Sequence, residues 1–203
     1  MAHIPDGILS APVLIGGAVA TIAALSIATR RLDYDKIPQA AVLAAAFFVA
    51  SLVNVPVGPS SVHLILNGLM GALLGWTAVP AILVALLMQA VFFGYGGLLV
   101  LGVNTFNIAA PALICALVIG PWLQRADGRQ LFVVGACAGA LGVSLTGALV
   151  CASLILSGPE FLPAGKVILL TYLPLMLAEA AVTGATLAFI KRVAPELLWM
   201  GRR

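Results

Sequence analysis

The chain contains two histidines, His3 in "MAHIPDGILS" and His63 in "PVGPSSVHLILNG". Both could do metal chemistry. Ala2 is small, so removal of Met1 is expected, which leaves a chain that begins Ala2-His3. The Ala2 amine, the His3 backbone nitrogen and the His3 Nδ1 can then close two fused chelate rings on one ion, and His63 can add a fourth nitrogen. Four nitrogens in a plane suit Ni²⁺ or Cu²⁺, and Ni²⁺ ranks above Co²⁺ in intrinsic affinity. The amide must lose its proton to bind, so affinity should fall with acidity. If Met1 stays, one amine, two amides and one imidazole fill the plane alone, and His63 is not needed. The two registers predict different outcomes for His63→Ala.

The neighbours fit a folded-back chain end. Pro5 stiffens the return. Gly7 permits a turn. Asp6 can cap the first helix or accept a hydrogen bond from a histidine ring. Asn67 lies four residues after His63, on the same helical face, where it could bond the hook or a ligand. Asn104 starts a later apolar run and is expected to support the pocket. The ordinary alternative is a solvated histidine near a chain end and an interfacial one at a helix start. Two histidines on one membrane face, with a chelate between them, argue against it.

These residues must be positioned by membrane helices. The 203 residues are 63% hydrophobic and 8% charged, with a mean hydropathy of +1.17. A soluble domain is about 25% charged. Runs such as "AILVALLMQAVFF" are continuous, whereas barrel strands alternate. The expected class is therefore an all-α polytopic membrane protein in a single membrane domain, 1–203. Nucleic acid is not an expected partner, because the basic residues cluster at the ends of apolar runs. Cys115, Cys137 and Cys151 lie inside such runs without a CxxC spacing, which suits small core residues. The amino terminus lacks the basic region and the A-x-A-like site of a signal peptide, so the first helix is expected to be retained.

Seven spans are expected, at 9–29, 37–54, 61–77, 79–98, 105–124, 131–156 and 166–190, each near the 17–25 residues needed to cross. "NVPVGPSS", "TAVP", "GYGG", "RADGR" and "SGPEFLPAG" supply the breaks. With the amino terminus outside, one face receives Arg30, Arg31, Lys36, Arg125, Arg129, Lys191, Arg192, Arg202 and Arg203, nine of the ten basic residues, and the other only Lys166. The positive-inside rule makes the first face cytoplasmic. His3 and His63 then share the outer face.

"HIPDGILS", "NVPVGPSSVHLILNGLMGALLGW", "AILVALLMQAVFFGYGGLLVLGVNTFNIAAPAL" and "EAAVTGATLAFIKRVAPELL" together resemble the CbiM/NikM family. These are substrate-capture membrane components of energy-coupling-factor cobalt and nickel importers, and the likeness covers nearly the whole chain. The resemblance implies a metal-binding hook (1–8), an extra first helix (9–29), a six-helix capture module (37–190) and a basic cytoplasmic tail (191–203). It implies metal ligands at His3 and His63. The family's usual start is Met-His, whereas here Ala2 intervenes, and loss of Met1 would restore the register. It further implies Co²⁺ or Ni²⁺ as transported substrate, with cobalt for cobalamin biosynthesis, and a bacterial or archaeal cytoplasmic membrane. The implied partners are a membrane coupling protein, cytoplasmic ATPases of the ABC type and a small accessory membrane subunit. No GxxxxGK[ST] occurs in the chain, so a P-loop ATPase must come from another subunit.

Two rivals come from other classes. An intramembrane serine protease needs an activated serine within reach of a base. Ser60 and Ser61 instead follow Pro59 in a loop, and no GxSG is present. A structural membrane subunit would bind no metal and would tolerate loss of both histidines. Gln89 and Glu179 sit inside spans, where interhelical hydrogen bonding is their plainest role. The small residues Gly16, Ala20, Ala24 and Ala28 line one stripe that suits helix packing or docking of a coupling protein.

Overall fold

Proline near the start of a helix and glycine past its end set several element boundaries. A computed structural model describes residues 3–52, 55–57 and 60–198; Ala2 and the end of the basic tail lie outside them. Helix α1 spans Ala11–Arg30 with Pro12 in its first turn. Helix α2 spans Ile37–Ala50, again opened by a proline, Pro38. A small antiparallel hairpin follows, with β1 at Val55–Val57 and β2 at Ser60–Val62, pairing Val55 with Val62 and Val57 with Ser60. Helix α3 covers Asn67–Leu74, and a 3-10 turn at Gly75–Thr77 leads into α4, Ala78–Phe93. Gly94, at φ 66°, closes α4 in the left-handed conformation that glycine adopts without strain. Helices α5 (Leu101–Arg125), α6 (Gly128–Ser157) and α7 (Leu162–Val193) complete the bundle.

The all-helical membrane architecture stands, with the hairpin as a local exception. Among the described residues, five helical stretches are long and apolar enough to cross a membrane: Ala11–Arg30, Asn67–Phe93, Leu101–Arg125, Gly128–Ser157 and Pro159–Val193. The third expected span, 61–77, is corrected. Its first residues form β2 and a loop, and α3 has eight residues. At 1.5 Å per residue it is about 12 Å long, well short of the ~30 Å hydrocarbon core. The causes are two breaks. Leu66 takes φ 53°, and Gly75 takes φ 56° at the other end. Helix α2, with 14 residues, is also shorter than its expected span 37–54.

Every residue of α3 is buried. Its small residues allow this. A Cβ on Gly71 would fall 2.0 Å from the Ala112 carbonyl oxygen of α5, and one on Gly68 would fall 2.4 Å from that of Ala138 in α6. Backbones therefore touch directly, the close approach that small residues permit in lipid. Asn67 sits against Gly142, halfway along α6, so α3 starts at mid-depth in the bundle. Helix α1 lies on the outside and meets α5 through Gly17 and Ala18, where Thr21 Oγ1 donates to the Gly102 carbonyl (2.6 Å).

Candidate metal site

The amino-terminal segment is tied down by its own backbone. Asn104, one turn into α5, clamps Ile4 from both sides: Oδ1 accepts from the Ile4 N–H (3.1 Å) and Nδ2 donates to the Ile4 carbonyl (3.0 Å). The Asp6 N–H donates to the Gly96 carbonyl (3.2 Å). The Asp6 carboxylate accepts from the N–H groups of Val100 (2.9 Å) and Leu99 (3.4 Å), just before α5. An anion there is favoured by the exposed amides of a helix start. The Ser10 N–H donates to Ser157 Oγ at the end of α6 (3.1 Å).

This clasp buries His3, and His63 is buried beside it. The two imidazoles stack at 5.2 Å between centroids with planes 19° apart. Tyr95 is a second ring contact of His3, at 6.3 Å between centroids and 15° between planes. His63 Nδ1 lies 3.0 Å from the Leu64 carbonyl oxygen. A carbonyl only accepts, so Nδ1 carries the proton and Nε2 keeps its lone pair. Among the described residues, His63 Nε2 and His3 Nε2 are both buried without a hydrogen-bond partner. Burial, reinforced by the neighbouring His63, pushes the His3 imidazole down to about 3. Burial also lowers His63, against the opposing pull of its bond to Leu64. Both rings are thus neutral at pH 7, the form in which imidazole binds metal.

The segment that carries His63 is held from below. After His63 the chain turns through Leu66 at φ 53°, ψ 14°. For an L-residue this conformation costs roughly 1–2 kcal/mol. Glu179, fully buried midway along α7, compensates: its Oε1 accepts from the Leu66 N–H (2.8 Å) and also from the Ile65 N–H.

The expected site residues separate into groups. His3, His63 and Asn104 come together. Ala2 lies outside the described residues. Asp6 belongs to the clasp, although its carboxylate faces the amides before α5, not a histidine ring, and Ser10 occupies the N-cap of α1. Asn67 does not reach the hook: its Nδ2 donates to Thr146 Oγ1 (2.8 Å), the Gly142 carbonyl (3.2 Å) and the Ile108 carbonyl (3.3 Å), joining α3 to α5 and α6. Gln89 makes the interhelical bond expected of it, donating to Ser51 Oγ (2.9 Å). Glu179 instead bonds the backbone of a loop. The sequence reading missed Tyr95 and Gly97. A Cβ on Gly97 would land 2.1 Å from Asp6 Cγ, so "GYGG" is more than a break between helices.

Fold and site together define a multi-pass helical membrane protein with a buried pair of neutral imidazoles at one end of its bundle. A family profile described as "Cobalt uptake substrate-specific transmembrane region" matches residues 3–197, and the chain belongs to this family, CbiM. A Haemophilus influenzae chain whose name assigns it to metal transport is 38% identical over 97% of this chain and 96% of its own length. The cobalt transport protein CbiM of Sorangium cellulosum is 32% identical, over 86% of this chain and 83% of its own. The fused nickel transport protein NikMN of Rhodobacter capsulatus is 38% identical over 69% of this chain and 39% of its own length. A crystal structure described as that of a transition metal transporter superposes with a TM-score of 0.78, at 26% identity, covering 94% of this chain and 93% of the other.

Proposed function

We propose that this chain captures Co²⁺ or Ni²⁺ at the outer face of a bacterial or archaeal cytoplasmic membrane, as the substrate-binding subunit of an ATP-driven importer. The observation that carries this reading is the imidazole pair: two buried, neutral rings, 5.2 Å apart, with His63 Nε2 left without a partner among the described residues. Leaving such a nitrogen buried and unpaired is costly unless a ligand uses it. Among the described residues no group of three or more His, Cys, Asp or Glu side chains gathers that could hold a metal. Main-chain nitrogens are then the natural remaining donors. The proposed ligand set is the Ala2 amine, the His3 amide nitrogen and Nδ1, and His63 Nε2.

Cobalt for cobalamin biosynthesis is the favoured substrate. In cells, supply and partner proteins set the choice among such ions more than intrinsic affinity does. Nickel uptake is the second reading, favoured by the likeness to a nickel transport protein. Energy would come from a membrane coupling protein and cytoplasmic ATPases, with a small accessory membrane subunit.

The test is titration of purified protein with Co²⁺ and with Ni²⁺, after mass spectrometry of its amino terminus. His3→Ala should abolish binding. His63→Ala should weaken it at least tenfold if Met1 is absent. Binding by both variants equal to that of the unmodified protein would remove the site. Loss in His3→Ala alone would favour the chelate that retains Met1.

A further inference from the structure

Glu179 lies far from the histidines in sequence and sits in the membrane interior, where a carboxyl group is costly to keep. It is fully buried, and its bonds go to two backbone amides of the loop after His63, not to a side chain on a neighbouring helix. One of those amides has a particular place. The Ile65 N–H and the Leu64 C=O belong to the same peptide unit. That unit is planar, and in the trans form its N–H and C=O point in opposite directions. On one side Glu179 Oε1 accepts from the Ile65 N–H. On the other, the Leu64 oxygen accepts from His63 Nδ1 at 3.0 Å. Fixing the plane therefore fixes the carbonyl, and the carbonyl fixes both the tautomer and the tilt of the imidazole.

We infer that Glu179 is the positioning residue for His63, acting through the Leu64–Ile65 peptide to aim Nε2 at the captured ion. This deepens the proposed function and rests on it. The second bond, to the Leu66 N–H, holds the left-handed turn that brings this peptide over the carboxylate. The helix that carries Glu179 is itself rigidly seated. A Cβ on Gly139 would fall 2.4 Å from the Glu179 carbonyl oxygen and 2.9 Å from Thr183 Oγ1, so α6 and α7 meet backbone to backbone at this level. Partners of this kind, one bond removed from the ion, orient a ligand, and their loss commonly costs 10–100-fold in affinity. The sequence hides the arrangement, because nothing in "EAAVTG" points to a loop more than a hundred residues earlier.

Reach and the carboxyl group itself can be separated. Glu179→Gln keeps an acceptor oxygen at the same distance and removes the carboxyl group. Glu179→Asp keeps the carboxyl group and withdraws the oxygens by one methylene. Purified protein is titrated with Ni²⁺, and its ligand-field absorption bands are recorded. Glu179→Gln should bind within about threefold of the unmodified protein, with the same bands. Glu179→Asp should bind about 10–100-fold more weakly, and its bands should move to those of His63→Ala, because one imidazole has left the ion. Unchanged affinity and bands in Glu179→Asp would overturn the inference. So would a loss in Glu179→Gln as large as in Glu179→Asp, which would assign the effect to the carboxyl group and not to the reach of its oxygen. If Glu179→Asp does not fold, Glu179→Gln still decides: wild-type bands support the acceptor role and shifted bands reject it. His63→Ala is the control for the underlying reading. If it binds like the unmodified protein, His63 is not a ligand and the four-nitrogen set on which the inference rests is wrong; if it loses the ion while Glu179→Asp does not, only the positioning role fails.

Discussion

A histidine that must be neutral to dock makes docking depend on pH. Burial lowers the His3 imidazole to about 3 from its ordinary 6.5. The released hook keeps the ordinary value, so below pH 6.5 the released form takes up a proton that the docked form refuses. Docking is thus at full strength above pH 6.5 and weakens progressively as pH falls from there toward 3. Hydrogen–deuterium exchange of the metal-free protein, corrected for the intrinsic rate, should show residues 3–9 protected at pH 7.5 and substantially less so at pH 5. Metal affinity should fall over the same interval, since proton and ion compete for one lone pair. Protection unchanged between the two pH values would mean that His3 is not buried when neutral. Asn104 offers a second test at this scale. Asn104→Ala strips both polar groups of Ile4 of their partner, a loss of about 1–3 kcal/mol. Exchange at the Ile4 amide should rise at least tenfold, and metal affinity should fall with it, while the helices stay folded.

At the scale of elements, the half-helix α3 places the site, and glycine permits α3. Gly71→Ala forces a methyl group against the Ala112 carbonyl oxygen of α5, and overpacking of this kind costs about 1–3 kcal/mol. Gly16→Ala, on the outer face of α1, meets nothing within 4 Å. Thermal unfolding in detergent should show a lowered midpoint for Gly71→Ala and an unchanged or slightly raised one for Gly16→Ala. Equal midpoints would deny that α3 is tightly seated. The same element marks where sequence reasoning stops. Helices α1, α5, α6 and α7 follow from long apolar runs bounded by Pro, Gly and charged turns, and they lie within a few residues of expectation. Residues 61–77 are equally apolar, yet they do not form one helix. What divides them is the left-handed Leu66, held by Glu179 from α7, and hydropathy cannot register a tertiary bond of that kind. The histidine pair was legible because the chain offers two histidines and the expected crossing pattern, although its third span is corrected, put both on one face. The Asp6 clasp was not, because its partners are backbone amides of Leu99 and Val100, which carry no sequence signature.

Across the whole molecule the hook end and the basic end are opposite. Lys191 of α7 closes the end of α5, donating to the carbonyls of Leu123 (3.2 Å) and Gln124 (3.1 Å) while pairing with Asp127 (3.1 Å). A cation there satisfies carbonyls that the helix leaves unpaired. Arg31, just past α1, lies 5.0 Å over the ring of Trp76 in the turn between α3 and α4. These contacts gather basic side chains where α1, α5 and α7 end, away from the end at which His3 meets Tyr95. Lys and Arg are retained preferentially on the cytoplasmic side of a membrane. The charge distribution therefore predicts that the imidazole pair faces outward, as capture of an external ion requires. The exposed Tyr34, between α1 and α2, and the exposed Leu98, between α4 and α5, mark the two ends. In a background lacking Cys115, Cys137 and Cys151, a membrane-impermeant thiol reagent applied to intact cells should label Leu98→Cys. Tyr34→Cys should react only after the cells are opened. The reverse pattern would turn the site toward the cytoplasm, and a chain so oriented could not serve uptake by the proposed route.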